Sequence, residues 1–189
     1  MKKYSRIITK IGWSLALTLV FTPLFTPVFA QVAVTLPDTS QTTTLNANVA
    51  EQAKVQVPAA VSFAVNDIAA ITYSANQSVT ITNIALATAT KQLQISLQAN
   101  AANFTPPVAL AATWAASAIS WDADDVWTNA TQSSGTLSSA AYNTVATCAA
   151  NSAGCSTTGL VLNLAANTSV LRSGTHWLVV TWKFASIGT

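Results

Sequence analysis

Large apolar residues alternate with small or polar ones in a series of short runs along this chain. Val61-Ser62-Phe63-Ala64-Val65, Val79-Thr80-Ile81-Thr82, Leu93-Gln94-Ile95-Ser96-Leu97 and Leu160-Val161-Leu162-Asn163-Leu164 all keep a period of two. That period puts one side of an extended chain in a core and the other in water. The run from His176 to Phe184 places His176, Leu178, Val180, Trp182 and Phe184 on one face. Trp177, Val179, Thr181 and Lys183 fall on the other, so the pattern predicts a central strand covered on both sides. Residues 45 to 57 read as an opening strand, interrupted near Glu51 and ended by Pro58. Turn-forming residues separate the runs at Asn66-Asp67, Ser74 to Asn76, Asn103 to Pro107, Ser133 to Gly135 and Ser173-Gly174. The stretch Ala109 to Ala118 is ambivalent, because its alanines favour helix while Thr113-Trp114 favours strand. With no long helical pattern anywhere after residue 45, the predicted fold is all-β: an Ig-like antiparallel β-sandwich of two sheets over residues 45–189.

The first thirty residues follow a different rule. Lys2, Lys3, Arg6 and Lys10 precede an uncharged stretch from Ile11 to Ala30, which ends Val28-Phe29-Ala30. A basic head, an apolar middle and small residues at the end predict a secretory signal peptide over 1–30, cut after Ala30. The uncharged stretch approaches the ~20 residues of a membrane-spanning helix. Pro23 and Pro27, however, would break such a helix in its last turns. The expectation is therefore a secreted protein with no membrane anchor after cleavage, located outside the cell, at its surface or in a periplasm. Residues 31–44 form an extension in which Val32, Val34 and Leu36 alternate with Gln31, Ala33 and Thr35, followed by a threonine-rich tether.

Removing the leader reverses the charge. Four of the eight basic residues lie in it, and the remaining Lys54, Lys91, Arg172 and Lys183 face six acids, giving −2. Nucleic-acid binding, which needs a dense basic footprint, loses its support, as does electrostatic attraction to a membrane. The remaining surface is neutral and rich in hydroxyls, with little colloidal repulsion between copies. Self-association is accordingly the expected partnership.

Cys148 and Cys155 are the only cysteines, with six residues between them in the exported part, and predict a disulfide. A metal site is poorly supplied, since one cysteine pair and one histidine cannot give zinc four ligands. The acidic residues gather only at Asp122, Asp124 and Asp125, framed by Trp121 and Trp127 in WDADDVW. Three carboxylates in four residues make a partial Ca²⁺ ligand set, but Val126 and Trp127 occupy positions where an EF-hand loop needs an oxygen and a glycine. Trp121 and Trp127 beside carboxylates would equally suit stacking on the sugar rings of an extracellular polysaccharide. No other cofactor is indicated.

His176 is the only histidine and stands in an apolar strand with no nucleophile motif around it. The prediction is a non-enzymatic protein with no catalytic residues. Asn76, Asn103, Asn129 and Asn167 stand in N-x-S/T sequons, which are surface markers in a glycosylating host. Leu36-Pro37-Asp38-Thr39-Ser40 approximates a sortase signal but ends in serine and lacks the hydrophobic tail.

The phrases VQVPAAVSFAV, SVTITNIAL and HWLVVTWKF, preceded by a signal peptide and a tethered strand, resemble the Ig-like sandwich subunits of bacterial surface fibres and biofilm-matrix filaments. The resemblance spans most of residues 45–187 and is one of pattern, without a signature motif. It implies a structural protein of the cell surface or extracellular matrix, built by strand addition, with Val32, Val34 and Leu36 as the donor strand. A tether of ten residues would reach about 30 Å at ~3.3 Å per residue. The pattern departs from pilins in its late cysteines and its complete final strand. A carbohydrate-binding or adhesion module is the alternative.

Overall fold

The structure is a computed structural model that describes residues 35–37, 42–124 and 126–188. It divides into two compact units, Met1–Leu45 and Asn46–Thr189. Of the first, the described residues lie exposed; the signal peptide expected over 1–30 falls outside the described residues.

The second unit is all-β and wholly antiparallel, with one 3-10 turn at Ala116–Ala118. Its twelve strands are β1 (Gln52–Gln56), β2 (Thr72–Tyr73), β3 (Gln77–Ala85), β4 (Gln92–Ala99), β5 (Ile119–Trp121), β6 (Trp127–Thr128), β7 (Ala130–Gln132), β8 (Gly135–Thr136), β9 (Asn143–Cys148), β10 (Gly154–Leu160), β11 (Asn163–Leu164) and β12 (Val180–Ile187). They form three four-stranded sheets, ordered β1-β3-β10-β6, β12-β4-β9-β7 and β2-β11-β5-β8. The first two hold the longer strands, and the third is made of short ones whose Ile119, Trp121 and Leu164 belong to the same core cluster.

Period-two alternation explains the core. On β4, Leu93, Ile95, Leu97 and Ala99 are buried, while Gln92, Gln94 and Gln98 take the other face. Val79 and Ile81 of β3 join them in one cluster with Cys155 and Leu160 of β10. A register shift puts Thr144 and Ala146 opposite consecutive β4 residues, so Val145 is an extra residue of β9 and both Val145 and Ala146 are buried. Trp121 and Ile119 of β5 close the end of this cluster with Leu137 and Leu164.

The Cys148–Cys155 disulfide is formed, with its Cα atoms 5.8 Å apart. Close in sequence, the two cysteines lie in different sheets, at the end of β9 and the start of β10. A turn from Ala149 to Ala153 carries the chain across, so a local staple joins the two layers through their shared core. Reducing it should lower unfolding stability by about 2 kcal/mol, because the closed loop is short; urea unfolding with and without reductant measures this, and unchanged midpoints would contradict it.

Several strands differ from expectation. The run 160–164 divides into β10 and β11, because the chain leaves the first sheet after Leu160 and pairs with β2 and β5 from Asn163. The opening strand is confined to β1. Val61, Phe63 and Val65 do alternate, half-buried against the core, but form no strand. No backbone hydrogen bond joins residues 58–66 to others among the described residues. The largest difference is at the end of the chain. β12 begins only at Val180 and among the described residues pairs with β4 alone, which makes it an edge strand there and not a central one.

Candidate functional site

The WDADDVW segment spans the end of β5 and the start of β6. The alternation that makes Ile119-Ser120-Trp121 a strand also turns the indole of Trp121 inward, where it is 1% exposed. Its N–H donates to the Thr144 carbonyl at 3.3 Å. Gly135 lies against the ring: a Cβ there would come within 2.7 Å of Cζ2. Trp127 is half-buried against the same core, with its indole N–H buried and unpartnered among the described residues. The two rings therefore do not make a pair of open faces.

The acidic residues between them are separated by their partners. Asp122 accepts from Asn163 Nδ2 at 2.9 Å, and its backbone carbonyl accepts from the Gln132 side chain. Asp124 is exposed at the turn, and Asp125 lies outside the described residues. Among the described residues no three His, Cys, Asp or Glu side chains gather to hold a metal ion. A groove of about 450 Å³ runs beside this turn, lined by Asp124, Val126, Thr128, Ser156, Thr158 and Gly159 among others. Among the described residues its lining is rich in hydroxyls and carries one acid, Asp124, and no base.

His176 is held from both sides of its ring. A carbonyl can only accept, so Nε2–H donates to Arg172 C=O at 3.2 Å, and Nδ1 shares a hydrogen bond of 2.8 Å with the Thr113 hydroxyl. The ring also packs edge-on to Trp114, with centroids 5.2 Å apart. These contacts fasten the 172–176 loop to the 113–114 segment.

The third candidate is the edge of β12. Eight consecutive residues pair with β4 without a bulge, Val180↔Ala99 through Ile187↔Gln92, and among the described residues the opposite side of β12 has no neighbouring strand. Natural sheets protect such edges with proline, bulges or charge. Here the only charged residue in the strand is Lys183, whose ammonium sits 5.1 Å above the Tyr142 ring. Trp177 and Val179, just before the strand, are 54% and 48% exposed. Trp182 and Phe184, stacked with centroids 6.5 Å apart, line the half-buried face. The sequence contained these residues, but apolar side chains on both faces looked like burial on both faces. The absence of a second flanking strand is a long-range property that no local pattern records.

The free end of this edge is anchored by one carboxylate. Glu51 Oε1 accepts from the Ala87 N–H at 2.7 Å, from Lys91 Nζ at 3.0 Å and from Ser186 Oγ at 3.3 Å. The Ala87 N–H, with Lys91 beside it, holds the Glu51 carboxyl below its ordinary value of 4.5. A lowered carboxyl contributes stability that is complete above the ordinary value and is lost as pH falls through the folded one. Glu51→Gln should therefore be less stable than the parent near neutrality, with the difference closing below about pH 4.5. Melting curves at neutral and acid pH check this, and a gap that widens on acidification would contradict it.

Of the donor-strand residues, Val32 and Val34 lie outside the described residues, and Leu36 is 83% exposed. No helix among the described residues is long and apolar enough to cross a membrane. The disulfide fits an oxidising, extracellular or periplasmic environment. Comparison with protein-family models, curated proteins and solved structures gives no match. By its architecture the chain is a disulfide-stapled all-β antiparallel sandwich.

Proposed function

We propose that this is a non-enzymatic secreted structural protein of the cell surface or extracellular matrix that self-associates by strand addition. The observation that carries the reading is the β12 edge: long, unbulged, flanked by exposed apolar side chains and weakly charged. An added strand would gain a ladder of main-chain hydrogen bonds there, with side-chain register supplied by Val179 and Val180. The near-neutral exported chain offers little electrostatic resistance to the approach of a second copy. Residues 31–36, whose apolar positions alternate at the same period, are the proposed donor. Electron micrographs of the exported protein with and without residues 31–41 test this. Fibres from the full form and dispersed particles from the truncated one are expected. Dispersed particles from both would sink the reading, and fibres from both would remove the donor role.

A second reading, binding of an extracellular polysaccharide, is favoured by one observation, the hydroxyl-lined groove at Asp124, Thr128, Ser156 and Thr158. It moves the glycan site from the tryptophan pair to the outer surface beside them. A neutral-glycan screen in which Asp124→Ala and the parent behave alike would set it aside.

A further inference from the structure

We infer that the outer face of the β2-β11-β5-β8 sheet binds a neutral polysaccharide, seating a sugar ring against Tyr73 and holding its hydroxyls through the Asn163–Asp122 pair. The inference goes beyond strand addition, and its site is separate from the groove at Asp124.

Ladder register assembles this face. Tyr73 pairs with Asn163, Asn163 with Ser120, and Ser120 with Thr136, so one residue from each of the four strands falls in a single row. Residues directly opposite each other in a ladder project to the same side of the sheet. The adjacent row runs from Thr72 through Leu164 to Ile119, and its Leu164 and Ile119 are buried in the core. The Tyr73 row therefore faces outward. The same alternation that turns Trp121 inward sends Ser120 and Asp122 to the outer side. Three interstrand steps of ~4.8 Å give the row a span of about 14 Å, room for a short run of sugar rings.

The face is apolar at one end and hydrogen-bonding along the rest. Tyr73 is 62% exposed, and Ile71, two residues before it on the same side, is 55% exposed. The continued register sets Ala165 opposite Ile71, exposed and too small to fill the space beside the two larger side chains. Its N–H bonds the Ala118 carbonyl at 2.9 Å, which keeps the pairing in step beyond Leu164. In the row itself, Asn163 Nδ2 donates to Asp122 Oδ2 at 2.9 Å, and because a carboxylate accepts, this contact orients the amide. The second Asn163 N–H, Asn163 Oδ1 and Asp122 Oδ1 have no partner among the described residues, and the hydroxyls of Ser120 and Thr136 continue the series.

A pyranose ring carries C–H groups on its faces and hydroxyls around its rim. It is recognised by an aromatic surface with donors and acceptors set beside it, which is the order found from Tyr73 to Thr136. An added peptide strand would need main-chain groups, and β2 offers an edge of only two residues. The paired residues of this face and Asp122 bring one carboxylate and no cation, which favours a neutral polymer over an acidic one.

The test uses the exported protein carrying Asp124→Ala, which disables the groove. The probes are neutral β-linked gluco-, manno- and galacto-hexaoses, with hexagalacturonate as the acidic counterpart, and binding is read by titration calorimetry. At least one neutral hexaose should bind and hexagalacturonate should not. Adding Tyr73→Ala should weaken binding about two- to tenfold, the worth of one aromatic contact, while Tyr73→Phe keeps it. Ala165→Glu, which fills the open space and adds a charge, should abolish binding. Tyr73 and Ala165 are both exposed, so these variants should melt with their parent. Binding by the unmodified protein that Asp124→Ala alone removes would return the ligand to the groove and overturn the inference. No binding by either protein would overturn both polysaccharide sites and leave strand addition standing. Binding that neither Tyr73→Ala nor Ala165→Glu changes would place the sugar on another face. Fibres lost in Tyr73→Ala while sugar binding persists would make this face a contact between copies and overturn the inference as well.

Discussion

Trp121→Ala is expected to destabilise the fold by about 3–5 kcal/mol, a large part of what holds an ordinary domain together. The indole is buried, donates to the Thr144 carbonyl, and sits on the space that Gly135 leaves open. Its removal would empty a volume that β5, β8 and β9 cannot close without moving. Urea unfolding of the parent and variant gives the difference directly. A loss within about 0.5 kcal/mol, as for an ordinary surface substitution, would contradict the burial. It would also return Trp121 to the solvent-facing role that its place beside Asp122 suggested. Any loss of ligand binding in this variant reports unfolding, so polysaccharide binding is better examined at Asp124, which is exposed.

The second large effect concerns association and not folding. Val179→Lys with Val180→Lys places two positive charges on each copy of the β12 edge. Strand addition across that edge would then set like charges against one another or strip them of water. Each opposed pair costs about 0.2–1 kcal/mol, so the two together should weaken lateral association about two- to thirtyfold. Both valines are partly exposed, so the melting temperature should hardly change. Sedimentation velocity over a concentration series reads the first effect and thermal unfolding the second. Unaltered lateral packing in micrographs of the variant would place the contact elsewhere.

Much of the architecture was legible because it is local. Leu93, Ile95 and Leu97 alternate with glutamines and serine, and such a pattern has few uses besides a half-buried strand. The Cys148–Cys155 pairing followed from an even count and a short gap. Misreadings arose where long-range pairing decides the outcome. Val61, Phe63 and Val65 have the spacing of a strand and pack as one, yet no neighbour among the described residues takes up their backbone. At 160–164 one apolar run serves two sheets, because the chain must turn from β3 to β2 and β5. β12 carries the same lesson in reverse: apolar residues on both faces suggested cover on both sides, while the sheet order among the described residues leaves one edge open.

The candidate sites were legible in part. Composition pointed to self-association through low charge, and the structure supplies an edge on which it can act. The pairing of Trp121 with Trp127 was the natural choice from sequence, since nothing in WDADDVW tells an inward-facing strand residue from a loop residue.

Amide hydrogen exchange of β12, followed from dilute to concentrated exported protein, tests the central claim most directly. In the dilute protein, those amides of residues 180–187 that do not bond to β4 should exchange freely, and their protection should rise with assembly while loops such as 86–90 change less. Equal exchange of the β12 amides in monomeric and assembled protein would contradict the account, because a strand cannot be added to that edge without covering them.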